Sequence, residues 1–193
     1  MIFDRIVNRE DRDTDELFFR LKVSQEDLKR MVFKTDPSNG RIHSCLTIDG
    51  KNYRCRSECL VIRDNKVFAL KLGTDSKEDL HYIIPGGSLE PGIDIISNAI
   101  KETHEEARIN VRDCIWTGIA YGYRYSKSTS KFFNYYGAVS FICIGYYDSK
   151  YTGQIDMNDT EPEMLKYGKF YNPSEIDWMK YHEEVLRKFD IMK

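Results

Sequence analysis

Pro85-Gly86-Gly87-Ser88-Leu89-Glu90-Pro91-Gly92, followed within one helical segment by Lys101-Glu102-Thr103-His104-Glu105-Glu106, is the most informative stretch of this chain. Glu102, Glu105 and Glu106 stand at i, i+3 and i+4, a spacing that projects three carboxylates from one helical face. Like charges so placed repel, and a hard divalent cation with oxygen ligands turns that repulsion into attraction. The preceding glycines let the backbone pass close to the face and offer a carbonyl as a further ligand. Such a surface is a seat for metal-bound phosphates. Three glutamates by themselves equally describe a solvated acidic helix face after an ordinary turn.

Outward from this stretch the pattern is that of an α/β protein. His81–Ile84 reads as a short strand entering the glycine loop, and a helix is expected from about Ile93 to Ala107. Ile96, Ala99, Ile100, Thr103 and Ala107 form its apolar face. Upstream, Ile42–Ile48 alternates, Asp49-Gly50 signals a hairpin, and a strand runs from Tyr53 through Ile62. Arg63–Lys66 is a second turn, before Val67–Leu70. Downstream, two aromatic-rich strands are expected over about Asp113–Tyr125 and Phe132–Tyr147. Asp156–Glu163 is an acidic loop, and Tyr181–Phe189 is an amphipathic closing helix. Residues 1–40 read as an N-terminal appendage, partly helical, in which Ser24 caps a helix reaching Phe33 with Asp27 at its third position. The remainder, 41–193, reads as one domain.

Composition narrows the function. The chain has 193 residues, 41% hydrophobic and 31% charged, enough for a buried core. Its 29 lysines and arginines against 31 acidic residues leave a formal charge of −2. That balance disfavours a dedicated nucleic-acid binder, whose affinity rests on clustered positive charge. No apolar run is long enough to span a membrane. The start, charged from Asp4 and without an apolar core segment, lacks a secretory signal, so a cytoplasmic protein with reduced thiols is expected. The five cysteines are Cys45, Cys55, Cys59, Cys114 and Cys143. His43, Cys45, Cys55 and Cys59 lack the paired spacing of a zinc site, and structural burial accounts for them.

The glycine loop and glutamate helix together resemble the signature of the Nudix hydrolases, G-x5-E-x7-R-E-U-x-E-E-x-G-U, where U is a bulky aliphatic residue. Aligned without gaps from Gly87 to Ile109, the residues Gly87, Glu102, Glu105, Glu106 and Ile109 meet the pattern. Four positions depart from it, as Ile93, Lys101, Thr103 and Arg108. The resemblance extends from about Ser57 to Phe189. It implies a Nudix-type α/β/α sandwich around a mixed β-sheet, and hydrolysis of a nucleoside diphosphate linked to another moiety with Mg2+ or Mn2+.

By position, the resemblance makes Glu106 the principal metal ligand, joined by Glu102, Glu105 and the Gly86 carbonyl. Glu102 and Glu105 are also proton acceptors, with Lys101 orienting Glu102. A late acidic residue is supplied by Glu161 or Glu163, ahead of the strand and helical turn at Lys169–Ile176. In the family the pattern's first glutamate and its arginine brace loop against helix. Here both are absent, as Ile93 and Lys101, and the neighbouring Asp94 is a candidate replacement carboxylate.

Tyr121, Tyr123 and Tyr125 alternate on one strand face, with Phe133 and Tyr135 on the next strand, as candidate stacking rings for a base. A half-buried aromatic sheet face is the plainer account of that alternation. Arg124, with Lys127 and Lys131, is a candidate phosphate contact. Tyr125 lies sixteen residues after Ile109, near a tyrosine found in diadenosine-polyphosphate hydrolases of the family. The proline that marks many ADP-ribose hydrolases would fall near Arg124 and is absent. Dinucleoside polyphosphates are thus favoured over ADP-ribose, nucleotide sugars and nucleoside triphosphates. Capped RNA is the one nucleic-acid substrate within reach. The alternative is a Nudix-like sensor that binds a nucleotide without turning it over. Residues 1–40 are a candidate surface for a partner or for a homodimer.

Overall fold

The computed structural model describes residues 2–4, 18–36, 40–71, 82–124, 135–150 and 168–192. In chain order the strands are β1 (Ile2–Asp4), β2 (Phe18–Lys22), β3 (Val32–Thr35), β4 (Ile42–Ile48), β5 (Lys51–Arg63), β6 (Lys66–Lys71), β7 (Tyr82–Ile83), β8 (Gly86–Ser88), β9 (Val111–Arg124), β10 (Gly137–Tyr147) and β11 (Lys169–Tyr171). The helices are α1 (Gln25–Leu28), α2 (Ile95–Ala107) and α3 (Lys180–Lys188), with a 3-10 turn at Pro173–Glu175. The chain divides into two compact units. Unit 1 comprises Met1–Ser57, Gly87–Asn98 and Trp116–Ile142; unit 2 comprises Glu58–Gly86, Ala99–Ile115 and Cys143–Lys193.

Both predicted hairpins form for the expected reason. Asp49 and Gly50 have φ of 48° and 72°, and Asp64 and Asn65 have φ of 50° and 59°. Two left-handed residues in succession give the turn whose twist matches its flanking strands. The hydrogen-bonded strand order is β1-β2-β9-β10-β5-β4-β3. Strand β2 runs antiparallel to β9 with Phe19 opposite Gly122, and a side chain on Gly122 would collide with the Phe19 ring. Phe19 in turn meets the Tyr53 ring edge-on at 5.5 Å. Residues 18–35 therefore contribute strands as well as a helical turn to unit 1.

Helix α1 is shorter than expected. Ser24 and Asp27 form the predicted capping box, with Asp27 Oδ2 accepting from both the Ser24 N–H (3.0 Å) and its hydroxyl (2.6 Å). Yet the helix stops at Leu28, and Val32–Thr35 pairs with β4 as β3. Val32 and Phe33 have strong strand preference, and ladder hydrogen bonds with β4 outweigh continuing an isolated helix.

In unit 2, β6 pairs with β5, β7 and β11, and Leu60, Val67, Ala69, Ile84, Trp178 and Leu186 form one core cluster. Every residue from Ser57 to Val61 is buried, the continuous burial that an unbroken apolar run implies, with one exception in composition. Glu58, 1% exposed, accepts a hydrogen bond from the Tyr181 hydroxyl at 2.7 Å and lies 3.0 Å from His182 Nε2. A buried carboxylate without such partners would cost several kcal/mol, on the order of the whole stability of a domain. Tyr181, His182, Val185 and Leu186 form the buried face of α3.

Helix α2 begins at a cap that the apolar pattern obscured. Asp94 Oδ1 accepts from the N–H groups of Ile96 and Ser97, each at 3.0 Å, and Oδ2 accepts from the Ser97 hydroxyl at 2.6 Å. These bonds, led by Ser97, hold the Asp94 carboxyl below its ordinary pKa. Asp94 is thus committed to capping. The buried face of α2 is Ile95, Asn98, Ala99, Thr103 and Ala107; Ile96 and Ile100, expected on that face, are only half-buried. The difference comes from Asn98, fully buried although polar. Its Oδ1 accepts from the Glu90 N–H at 3.1 Å, and its Nδ2 donates to Ser57 Oγ at 2.8 Å and to the Ser88 carbonyl at 3.1 Å.

Two outcomes follow from these contacts. Asn98→Ala strands a buried donor and two acceptors, so the urea midpoint should fall by the equivalent of about 3 kcal/mol. Asn98→Asp should not rescue it, because the oxygen replacing Nδ2 cannot donate to the Ser88 carbonyl. For Asp94, a depressed folded-state pKa means stability that is fully present above the unfolded value and lost as pH falls through the folded one. Asp94→Ala should cost about 1 kcal/mol near neutral pH. Urea melts carried to about pH 2 should show that gap closing, whereas Asp94→Asn should keep the cap and flatten the pH profile.

Candidate active site

The glycine segment of the motif is itself a strand. Strand β8 pairs with β5, the Leu89 N–H donates to the Cys55 carbonyl at 2.9 Å, and the Cys59 N–H donates to the Pro85 carbonyl at 3.0 Å. Gly86 and Gly87 are both buried. The Gly86 N–H donates to Glu106 Oε2 at 2.9 Å. This bond ties the last glutamate of α2 to the backbone at the start of the loop. It also turns the loop's amide dipole toward the carboxylate, a favourable charge-assisted arrangement.

Glu102, one turn before Glu106, has a side chain 14% exposed, whereas that of Glu105 is 47% exposed. The Lys101 ammonium lies 2.9 Å from Glu105 Oε2 and 3.9 Å from Glu102 Oε1. Its shorter contact is therefore with Glu105 and not with Glu102, the residue it was expected to orient. Lys101 sits four residues before Glu105, and an i,i+4 pair is the natural one on a helix surface. Among the described residues, no three His, Cys, Asp or Glu side chains gather closely enough to hold one ion. The donors on this face are nonetheless carboxylate and carbonyl oxygens, the chemistry that magnesium and manganese take.

At the end of α2 stands the most informative departure from the signature. Arg108, at the pattern's second glycine, has φ of 54° and donates its N–H to the His104 carbonyl at 2.9 Å. The helix ends in a left-handed residue, the conformation for which glycine is ordinarily selected. The backbone requirement is kept although the glycine is not, at a cost of about 1 kcal/mol.

The aromatic candidates belong to unit 1, and the glutamates to unit 2. Tyr121 is 3% exposed and Tyr135 4% exposed, the latter meeting the His43 ring edge-on at 6.0 Å. At that burial their rings contribute to the unit 1 core. Tyr123 and Arg124 are half-buried, and the Arg124 guanidinium lies 5.0 Å from the Tyr136 ring centre. Tyr125, Lys127, Lys131, Phe133, Glu161 and Glu163 fall outside the described residues. The strand and helical turn expected after the acidic loop are β11 and Pro173–Glu175. Two residues that matter to the loop, Asn98 and Asp94 in its capping role, were not read as such from the sequence. The Asp94-x-x-Ser97 spacing was the available signal for the cap; a buried amide leaves none.

No protein-family model matches the chain. Among solved structures it is similar to a NUDIX hydrolase from Nitrosomonas europaea, at 15% identity and a TM-score of 0.51, over 73% of this chain and 96% of that one. It is also similar to the E. coli dihydroneopterin triphosphate pyrophosphohydrolase, at 13% identity and a TM-score of 0.52, over 70% of this chain and 93% of that one. With the glycine strand, the glutamate helix and the flanking strands in place, the chain has the Nudix fold, an α/β/α sandwich around a mixed β-sheet.

Proposed function

We propose that this protein is a Nudix pyrophosphohydrolase that cleaves a nucleoside diphosphate linked to another moiety, dinucleoside polyphosphates being the favoured class. The observation that carries this reading is the Glu106 carboxylate held at 2.9 Å on the Gly86 N–H, with the half-buried Glu102 one turn away on the same helix. Glu102, Glu106 and the Gly86 carbonyl are the oxygen donors that would hold Mg2+ or Mn2+, with Glu105 and either Glu161 or Glu163 as further ligands. The metal, when bound, polarises the phosphate and lowers the charge barrier to attack by water. Glu102 and Glu105 act as proton acceptors, and the Lys101 ammonium, 2.9 Å from Glu105 Oε2, neutralises part of the carboxylate charge. Tyr123 and Tyr125, alternating in the sequence with Arg124 between them, are the proposed base and phosphate contacts, while Tyr121 and Tyr135 are buried in the core. The setting proposed is the cytoplasm; no helix among the described residues is long and apolar enough to cross a membrane. In this reading 41–193 carries the chemistry, and residues 1–40 add to it a surface for a partner or a second copy.

One observation favours the rival reading of a nucleotide sensor without turnover. Lys101 is paired at 2.9 Å with a glutamate that an enzyme would use, where the signature has arginine. A point-charge ammonium on a flexible stem does not reproduce the fixed fork of a guanidinium.

The two readings separate in a product screen. The full chain with Mg2+ or Mn2+ would meet dinucleoside polyphosphates, ADP-ribose, nucleotide sugars, nucleoside triphosphates and capped RNA, with products resolved by mass. Glu106→Gln keeps an acceptor for the Gly86 N–H, so it should fold normally while turnover falls about a hundredfold or more. Cleavage that depends on metal and is lost in this variant establishes the hydrolase and its substrate class. Absence of cleavage across the panel, with the same nucleotides raising the melting temperature, establishes the sensor.

A further inference from the structure

Cys59, Cys114 and Cys143, on β5, β9 and β10, all belong to unit 2. Cys59 and Cys143 are fully buried, and Cys114 is half-buried. Cys59 Sγ and Cys114 Sγ lie 3.9 Å apart. A disulfide bond is about 2.05 Å long, so the two sulfurs need to approach by about 2 Å to become bonded. Asp113, the residue before Cys114, has φ of 52°, a left-handed residue inside a strand. Arg112 and Asp113 are consequently both exposed in succession, and Cys114 turns inward after them. This break in the alternation of β9 aims the Cys114 sulfur at a thiol rather than at water.

The two sulfurs differ in exposure, Cys114 being half-buried and Cys59 fully buried. Hydrogen bonds from Cys143 and from Cys59 hold the Cys114 thiol well below its ordinary pKa against the opposing effect of burial. At Cys59 the neighbouring Cys114 and then burial push the thiol up. A half-buried thiol beside a fully buried one is the arrangement of an attacking and a resolving cysteine.

We infer that Cys114 and Cys59 form a peroxide-responsive thiol pair that closes to a disulfide. The Cys114 thiolate attacks hydrogen peroxide, an S–O bond forming as the O–O bond breaks, to give a sulfenic acid and hydroxide. The hydroxide takes a proton and leaves as water. The Cys59 sulfur then attacks the sulfenic sulfur, its proton departing with the displaced hydroxyl as a second water. Two thiols are oxidised by two electrons and one peroxide is reduced. The pair lies at the base of the candidate active site. The Cys59 N–H is bonded to Pro85, the residue before Gly86, and the Cys59 thiol meets Thr103, which stands beside Glu102 on α2. The chemistry of the pair is measured on sulfur and stands apart from the hydrolase reading.

The test treats the full chain with hydrogen peroxide, blocks the remaining thiols, digests without reductant and maps linked peptides by mass. The expected result is loss of two of the five thiols, a peptide joining Cys59 to Cys114, and recovery of both thiols with dithiothreitol. Cys143→Ala should retain the link, and Cys114→Ser should abolish it. Cys59→Ala, which removes the sulfur without adding a buried polar group, should leave Cys114 as a sulfenic acid that dimedone traps. It keeps the test valid if the serine variant does not fold. A link between Cys114 and Cys143, oxidation of Cys114 with no link, or no thiol loss at all would each overturn the inference.

Discussion

The loop after the glycine strand is fastened to the first turn of α2 by an uncharged amide. Asn98 contacts Glu90, Ser88 and Ser57 at once, from a position with no solvent exposure. In the Nudix signature a glutamate and an arginine share this bracing, and the chain has neither, carrying Ile93 and Lys101 in their places. A charged brace must pay desolvation for two ions, whereas an amide with its donors and acceptor matched incurs much less. Relieved of bracing, Lys101 pairs instead with Glu105. The loss of the charge pair and the position of the lysine are then two consequences of one substitution of strategy.

Unit 2 contains the opposite solution, an acidic side chain kept inside. Glu58 follows Ser57 directly on β5, and its carboxylate is satisfied by Tyr181 and by His182 from α3. Hydrogen bonds to both carboxylate oxygens fix which part of the helix faces the strand, because sliding α3 by one residue would leave the carboxylate unpartnered. Burial of Val185 and Leu186 on the same helix would tolerate such a slip far better, since apolar contact is not directional. The polar contacts thus act on register, and the apolar ones on stability.

Much of this fold was legible because it rests on local chemistry. Asp49-Gly50 and Asp64-Asn65 are turns for reasons contained in two residues, and the glycine strand followed by three glutamates locates α2 within two residues of its start. The capping box of Ser24 and Asp27 is also local, but the helix it opens stops at Leu28, five residues short of Phe33, because pairing with β4 is not visible in Val32-Phe33. The face of α2 was read toward Ile96 and Ile100 for a related reason. Apolar periodicity gives weight to isoleucines and none to Asn98, whose burial depends on hydrogen bonds to Ser57, Ser88 and Glu90. The same limit applies to Glu58, an acidic residue in an apolar run whose partners lie more than a hundred positions away. Of the candidate site, the motif brought Gly86 and Glu106 together as expected ligands, but neither the Gly86 N–H bond to Glu106 nor the burial of Tyr121 and Tyr135 is visible in it.

The four departures from the signature fall on different kinds of requirement, and this decides what each one can affect. Arg108 replaces a glycine required for backbone geometry, and the left-handed turn forms anyway, so the substitution costs stability and leaves the course of the chain unchanged. Thr103 replaces an aliphatic residue in the buried face, and its hydroxyl is satisfied by the Ala99 carbonyl at 2.7 Å within the helix. Burial of that polar group is therefore neutralised locally. Ile93 and Lys101 replace the brace, and Asn98 holds the loop in its absence. None of the four touches the contact between Glu106 and the Gly86 N–H, which needs only a carboxylate at one end and backbone at the other. The departures from the signature fall on supports of the candidate site and leave the contact between Glu106 and the Gly86 N–H in place.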